Sequence, residues 1–291
     1  MKKVALACTG GGIKACVNIG VLRALDELNI EVEAISGASL GALVSLLYLC
    51  DYPPKEIKKI FEKDVIKFEN FNLFDILCAV PNLIINGGLK NPKIMVKYIK
   101  KFEKEKNIKT LKDIEKTLII PALDISNREI AYYSSKPLEG NYTYYCDRTF
   151  SEAIRSSCAV PLLFTPHKVK MEGKNHFMLD GGILTNTLVT PLRQFSDYII
   201  GITNKFYPKE RSRVNLGTGF VQTFQSMRRS YLWNEKQNSD LWIQIDSKMN
   251  RFVGSSDEIK HFENLRLYNN NAMCKGTLFR WNYRGKVKCI R

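Results

Sequence analysis

The chain has 291 residues, 45% of them hydrophobic, and 44 Lys plus Arg against 29 Asp plus Glu give a formal charge of +15. This is a globular protein of one or two domains whose charge favours an anionic partner, nucleic acid or phospholipid, without choosing between them. The apolar run Val4 to Cys8 is too short for a signal peptide, no segment approaches the ~18 apolar residues of a spanning helix, and the scattered cysteines lack a C-x-x-C pair. The expectation is a reduced, cytoplasmic, soluble or peripheral protein without a zinc or redox site.

In chain order, Lys3 to Cys8 reads as a short buried strand that turns through Gly10-Gly11-Gly12 into a helix with Val17, Val21, Ala24, Leu25 and Leu28 on one face. A second strand, Val32 to Ser36, runs into Gly37-Ala38-Ser39-Leu40-Gly41, and Leu40 to Leu49 is apolar all round, as in a buried helix. Helices follow from Pro53-Pro54 through Phe61 and from Pro92 to about Lys106, with the apolar stretch Phe71 to Ile85 between them. Strands are expected at Leu118 to Leu123, Glu129 to Ser134, Phe177 to Leu179, Tyr198 to Thr203 and Leu241 to Ile245. Helices are expected at Thr149 to Cys158 and Asp257 to Asn270. The opening alternation of strand and helix argues for a single α/β domain with a mainly parallel central sheet wrapped by helices. Residues 1–203 form its core and 204–291 an extension packed on the same domain.

A nucleophilic serine must project from a sharp strand-to-helix turn with small residues two positions to either side, and Gly37, Ser39 and Gly41 meet that demand. Attack on an ester creates an oxyanion. Backbone N–H groups of Gly10, Gly11 and Gly12 could hold it, with Leu40 N–H at the start of the following helix. Asp180, at a strand end before Gly181 and Gly182, is the best candidate base, because two glycines let a short carboxylate approach another loop closely. Two rivals stay open. A Ser-His-Asp triad would have to use His261, the one histidine after Asp180. Gly10-x-Gly12-x-x-Ala15 also fits a dinucleotide fingerprint, with Glu31 and Glu33 as its acid, although here the second strand ends in the serine turn.

Leu6 through Tyr48, together with Arg155-Ser-Ser-Cys-Ala-Val-Pro161 and Leu179-Asp-Gly-Gly-Ile183, closely resembles the patatin-like phospholipases. The resemblance, over about residues 3 to 203, implies hydrolysis of lipid esters, phospholipids in the family pattern, by a Ser39 nucleophile and an Asp180 base without a catalytic histidine. It also implies an oxyanion hole in the glycine loop, with Lys14 in the basic position after it. Ala15 stands where many relatives carry glycine, and Thr187-Leu188 follows Asn186 where N-x-P is usual. No cofactor or metal is implied, and without an acidic calcium loop activity is expected to be calcium-independent. Nucleic acid is the less favoured partner, since the basic clusters are dispersed. Within Lys275 to Arg291, Phe279, Trp281 and Tyr283 alternate with Arg280, Asn282 and Arg284. An extended strand there would suit peripheral contact with an anionic inner membrane face, or an edge strand packed on the core.

Overall fold

The computed structural model of the protein describes residues 3–65, 80–90, 92–205, 215–245, 278–281 and 287–290. Strand β1 (Lys3–Cys8) leads through the glycines and a 3-10 segment (Gly12–Cys16) into α1 (Val17–Glu27), and β2 (Glu31–Gly37) leads into α2 (Leu40–Leu49). Next come α3 (Pro54–Ile60), α4 (Val80–Asn86), β3 (Gly88–Lys90), α5 (Lys93–Glu105), β4 (Thr117–Asp124), β5 (Glu129–Ser134) and β6 (Thr143–Tyr145). The chain continues through α6 (Phe150–Ser157), β7 (Leu162–Phe164), β8 (His167–Met171), β9 (Lys174–Asp180) and β10 (Ile199–Asn204). It then forms α7 (Leu216–Gln237) and β11 (Leu241–Ile245), and β12 (Leu278–Trp281) pairs antiparallel with β13 (Val287–Ile290).

Strands β11, β10, β1, β2 and β4 lie in that order and run parallel, while β5 and β9 join β4 antiparallel. This is the expected α/β architecture with a mainly parallel sheet. Successive residues of β1 show how both faces are covered. Val4, Leu6 and Cys8 belong to the larger cluster with α1, α2 and α3, whereas Ala5 and Ala7 meet Leu188, Val189 and Leu192 on the other side. A strand buried on both faces has no reason to alternate with polar residues, which is why it reads as one apolar run. Helix α2 is covered from Leu40 to Leu47 without an exposed stripe, as its all-round apolar composition requires. Helix α1 stops at Asn29, which takes the left-handed conformation at φ 52° while Ile30 N–H reaches back to the Leu25 carbonyl at 3.0 Å.

Strand β4 sets the site's dimensions. Its first residues pair with β2, with Ser36 opposite Ile119, and its last residues pair with β9, with Asp180 opposite Ala122. The C-terminal ends of β2 and β9 therefore approach each other along one edge of β4, separated by three residues or about 10 Å of strand. Pro121 occupies the gap between them. A proline inside a central strand normally loses a ladder hydrogen bond. Here its missing N–H falls where one neighbouring strand has ended and the next has not begun.

The sequence expectations for β1, β2, α2, β5 and β11 match these elements to within a residue. Strand β9 is longer than the expected 177–179 because it forms a hairpin with β8, whose short alternation of Lys168 and Lys170 with the buried Val169 and Met171 was not among the expected strands. Helix α7 was not expected, since Gly217, Gly219 and a mostly polar composition hide its one covered stripe. The expected helix at 257–270 lies outside the described residues.

Candidate active site

The turn from β2 into α2 bends at Ser39, which adopts φ 53° and ψ −131°, a conformation that is strained for a residue with a side chain. Close packing holds it there. A Cβ on Gly41 would sit 2.4 Å from the Thr9 carbonyl oxygen, so only glycine lets α2 begin against the loop that follows β1. Ser39 N–H donates to Ser157 Oγ at 2.9 Å, and Ser157 in turn donates to the Pro121 carbonyl at 2.7 Å. The serine turn is thus tied, through α6, to the gap residue of β4.

Asp180 ends β9, and its N–H donates to the Ala159 carbonyl at 3.0 Å. Its side chain accepts Gly182 N–H at 2.7 Å, and the Ser39 side chain is close enough to pull its pKa down. Both side chains are buried. Gly181 makes the approach possible, because a Cβ there would lie 2.3 Å from the Pro121 carbonyl oxygen. Burial pushes the Asp180 carboxyl up to about 6, against the opposing pull of the Ser39 side chain, the Gly182 hydrogen bond and the Arg228 charge.

The glycine loop is held from both sides. Thr9 N–H donates to Asn18 Oδ1 at 3.0 Å and Asn18 Nδ2 to the Thr9 carbonyl at 2.8 Å. Asn186 Nδ2 donates to Thr9 Oγ1 at 2.8 Å, while Gly10 N–H donates to the Asn186 carbonyl at 2.9 Å. Gly10 N–H is therefore occupied, which narrows the expectation that all three glycines offer donors. Gly11 and Gly12 open the 3-10 segment and Leu40 opens α2, positions at which N–H groups lack partners within their own helix. Lys14, half-buried in the same 3-10 segment, has its pKa lowered by burial and by the nearby Arg228 charge.

Arg228 is the residue that sequence reading missed. In the sequence Arg228-Arg229 reads as one more dispersed basic pair, yet Arg229 is exposed and Arg228 is not. Phe224, Gln225, Arg228, Leu232 and Glu235 recur at helical spacing along the covered side of α7, which packs on the turn after Asp180. Glu235, seven residues after Arg228, accepts the N–H groups of Val189 and Thr190 and the Thr190 hydroxyl. Asn18, Ser157 and Glu235 carried no local signal either, since each acts by bonding to backbone outside its own element that only the folded chain brings to it.

Two of the three histidines are engaged elsewhere. His167 Nδ1 shares a hydrogen bond with Ser156 Oγ at 2.9 Å, and burial followed by the Arg155 charge lowers its pKa to about 4. His176 Nδ1 pairs with Asp124 at 2.7 Å. His261 lies outside the described residues. In the dinucleotide reading the acid would end β2, but Glu31 opens that strand opposite Lys3 and bonds Lys116 at 3.3 Å. No cluster of three His, Cys, Asp or Glu suited to a metal occurs among the described residues.

The model of the patatin-like phospholipase family matches residues 6–193. The protein YqhO of Bacillus subtilis is 24% identical over 229 residues, covering 73% of this chain and 75% of YqhO. An NTE family protein of Mycobacterium tuberculosis is 26% identical over 193 residues, 65% of this chain and 45% of its own length. The chain thus spans less than half of that relative. Among solved structures, VipD from Legionella pneumophila aligns over 90% of this chain and 66% of its own, with a TM-score of 0.48 and 15% identity. With a family model covering well over half its length, the chain belongs to the patatin-like phospholipase family of lipid acyl hydrolases.

Proposed function

We propose that the protein hydrolyses carboxylic esters of phospholipids or lysophospholipids through a Ser39–Asp180 dyad. The observation that carries this reading is the burial of the Asp180 carboxyl at the end of β9, which raises its proton affinity while Ser39 acts on it from the strained turn between β2 and α2. Asp180 accepts the Ser39 proton as Oγ attacks the ester carbonyl carbon, and the negative charge passes to the carbonyl oxygen. N–H groups of Gly11, Gly12 and Leu40, which open the 3-10 segment and α2, hold that oxyanion. Collapse breaks the bond to the alcohol oxygen, which takes the proton from Asp180 and leaves as the lysolipid or glycerol derivative. Water then attacks the acyl-enzyme, with Asp180 accepting its proton, and the fatty acid departs as Ser39 recovers its hydrogen. The half-buried Arg228, whose charge reaches the Asp180 carboxylate, and Lys14, which feels that charge, favour a substrate that carries a phosphate. The buried thiols of Cys8, Cys16, Cys50, Cys146 and Cys158 suit a reducing, cytoplasmic setting.

Replacing Ser39 with Ala should lower hydrolysis of phospholipid and of a short nitrophenyl ester by more than about a thousandfold while leaving the melting transition cooperative. A fluorophosphonate should label Ser39 in the unaltered protein. Substantial turnover by purified Ser39→Ala would end the proposal.

A further inference from the structure

Helix α4 turns an apolar face outward. Ile84 and Ile85 are 79% and 78% exposed, and Pro81 is exposed at the preceding position of the same face, with spacing i, i+3, i+4. The helix is held in this attitude. Asn82 Nδ2 donates to the carbonyls of Gly88 at 2.5 Å and Leu89 at 3.3 Å, and Gly87 N–H closes the helix on the Leu83 carbonyl at 3.0 Å. Strand β3 then pairs with β7, placing Gly88 opposite Leu162. Leu162 is itself 54% exposed and sits at φ 68°, a conformation unfavourable for a bulky side chain. Three residues before it, the Ala159 carbonyl holds Asp180 N–H. The apolar face is therefore tied, through β3 and β7, to the loop whose Ala159 carbonyl holds Asp180.

The next helix adds charge. Lys93, Lys97, Lys100 and Lys104 are exposed at i, i+4, i+7 and i+11 of α5, opposite the buried Met95, Ile99 and Phe102. The two acids of α5 are committed elsewhere, Glu103 to Ser151 N–H at 2.7 Å and Glu105 to Lys101 at 3.5 Å. An apolar tip followed by a lysine stripe fits the interface of an anionic bilayer, where apolar side chains enter the acyl region and ammonium groups meet phosphates. A second copy of the chain would bring another lysine stripe and another net charge of +15 against this one, which opposes self-association on this face. No helix among the described residues is long and apolar enough to cross a membrane, so insertion of a tip is the form of attachment they offer.

We propose that Ile84, Ile85 and Leu162 insert into an anionic phospholipid bilayer while the α5 lysines bind its headgroups, delivering lipid to the dyad. This rests on the acyl-hydrolase reading only for its purpose, because docking itself needs no turnover. The full-length protein is mixed with vesicles of phosphatidylglycerol or of phosphatidylcholine, bound fractions are measured by sedimentation, and Ser39→Ala is measured alongside. Ser39→Ala should bind vesicles as the unaltered protein does, which separates docking from catalysis. Ile84→Ser/Ile85→Ser should bind phosphatidylglycerol vesicles on the order of a hundredfold more weakly, each isoleucine accounting for roughly tenfold. It should hydrolyse vesicle lipid correspondingly slowly and turn over a soluble short-chain ester at the unaltered rate. Lys93→Glu/Lys97→Glu/Lys100→Glu should abolish the preference for phosphatidylglycerol. Unchanged vesicle binding by the double serine variant overturns the proposal. So does a double serine variant that converts a dimer into a monomer while hydrolysing vesicle lipid normally, since a second copy would then be the occupant.

Discussion

A carboxylate that must take a proton from a serine hydroxyl works best when water has been removed from it, and Asp180 is buried with a pKa pushed up to about 6. The same burial costs stability. The folded-state value lies above the 3.8 of an unperturbed aspartate, so the penalty is absent below about pH 3.8, grows from there to about pH 6 and is complete above it. From the difference between the two values it amounts to about 3 kcal/mol. Asp180→Asn keeps an oxygen for Gly182 N–H and carries no charge. It should therefore melt higher than the unaltered protein at pH 8, by an advantage of about 1–3 kcal/mol that shrinks between pH 6 and pH 4, while hydrolysing no ester. Thermal melts across that range measure this, and an advantage that does not vary with pH would show that the carboxylate is not buried in its charged form. Ser39 and Asp180 were both legible as residues, because a G-x-S-x-G turn after an apolar strand and an Asp-Gly-Gly strand end are local patterns. That the Gly10 N–H is spent on Asn186 was not legible, since the acceptor stands 176 residues away.

At the scale of elements, α7 distinguishes this site from a bare dyad. Its covered stripe brings Arg228 toward Asp180 and anchors on the Val189 and Thr190 N–H groups through Glu235. Arg228 opposes the effect of burial on Asp180, so Arg228→Gln should raise the carboxyl further. Because the base acts in its ionised form, the acid limb of the rate profile should move to higher pH, with about a tenfold loss on that limb for each pH unit moved. Rates at pH 9 should stay within about threefold. An unmoved limb with a uniform loss at every pH would assign Arg228 to substrate binding instead. The helix escaped sequence reading for an identifiable reason. Its stripe contains an arginine and a glutamate where an apolar pattern is sought, and two glycines weaken its start.

Over the whole molecule, residues beyond the family match are integral to the sheet: β11 pairs with β10 from Ile200 to Asn204, and α7 covers the turn after Asp180. Ending the chain at Asn204 should leave β10 an open edge and the Val189 and Thr190 N–H groups without Glu235, lowering stability by more than about 3 kcal/mol. Circular dichroism melts of the shortened protein test this, and a cooperative transition near that of the full chain would contradict it. The sequence by itself determined the parts that depend on neighbours within a few residues: the buried parallel strands, the glycine loop, the serine turn and the acid with its glycines. Tertiary structure alone decided that β2 and β9 end on the same edge of β4, that Ser157 ties the serine turn to Pro121, and that the Arg228 charge opposes the effect of burial on Asp180. The physical reason is that local pattern encodes burial and backbone conformation, whereas strand order and the partners of single polar groups are fixed only when the whole sheet closes.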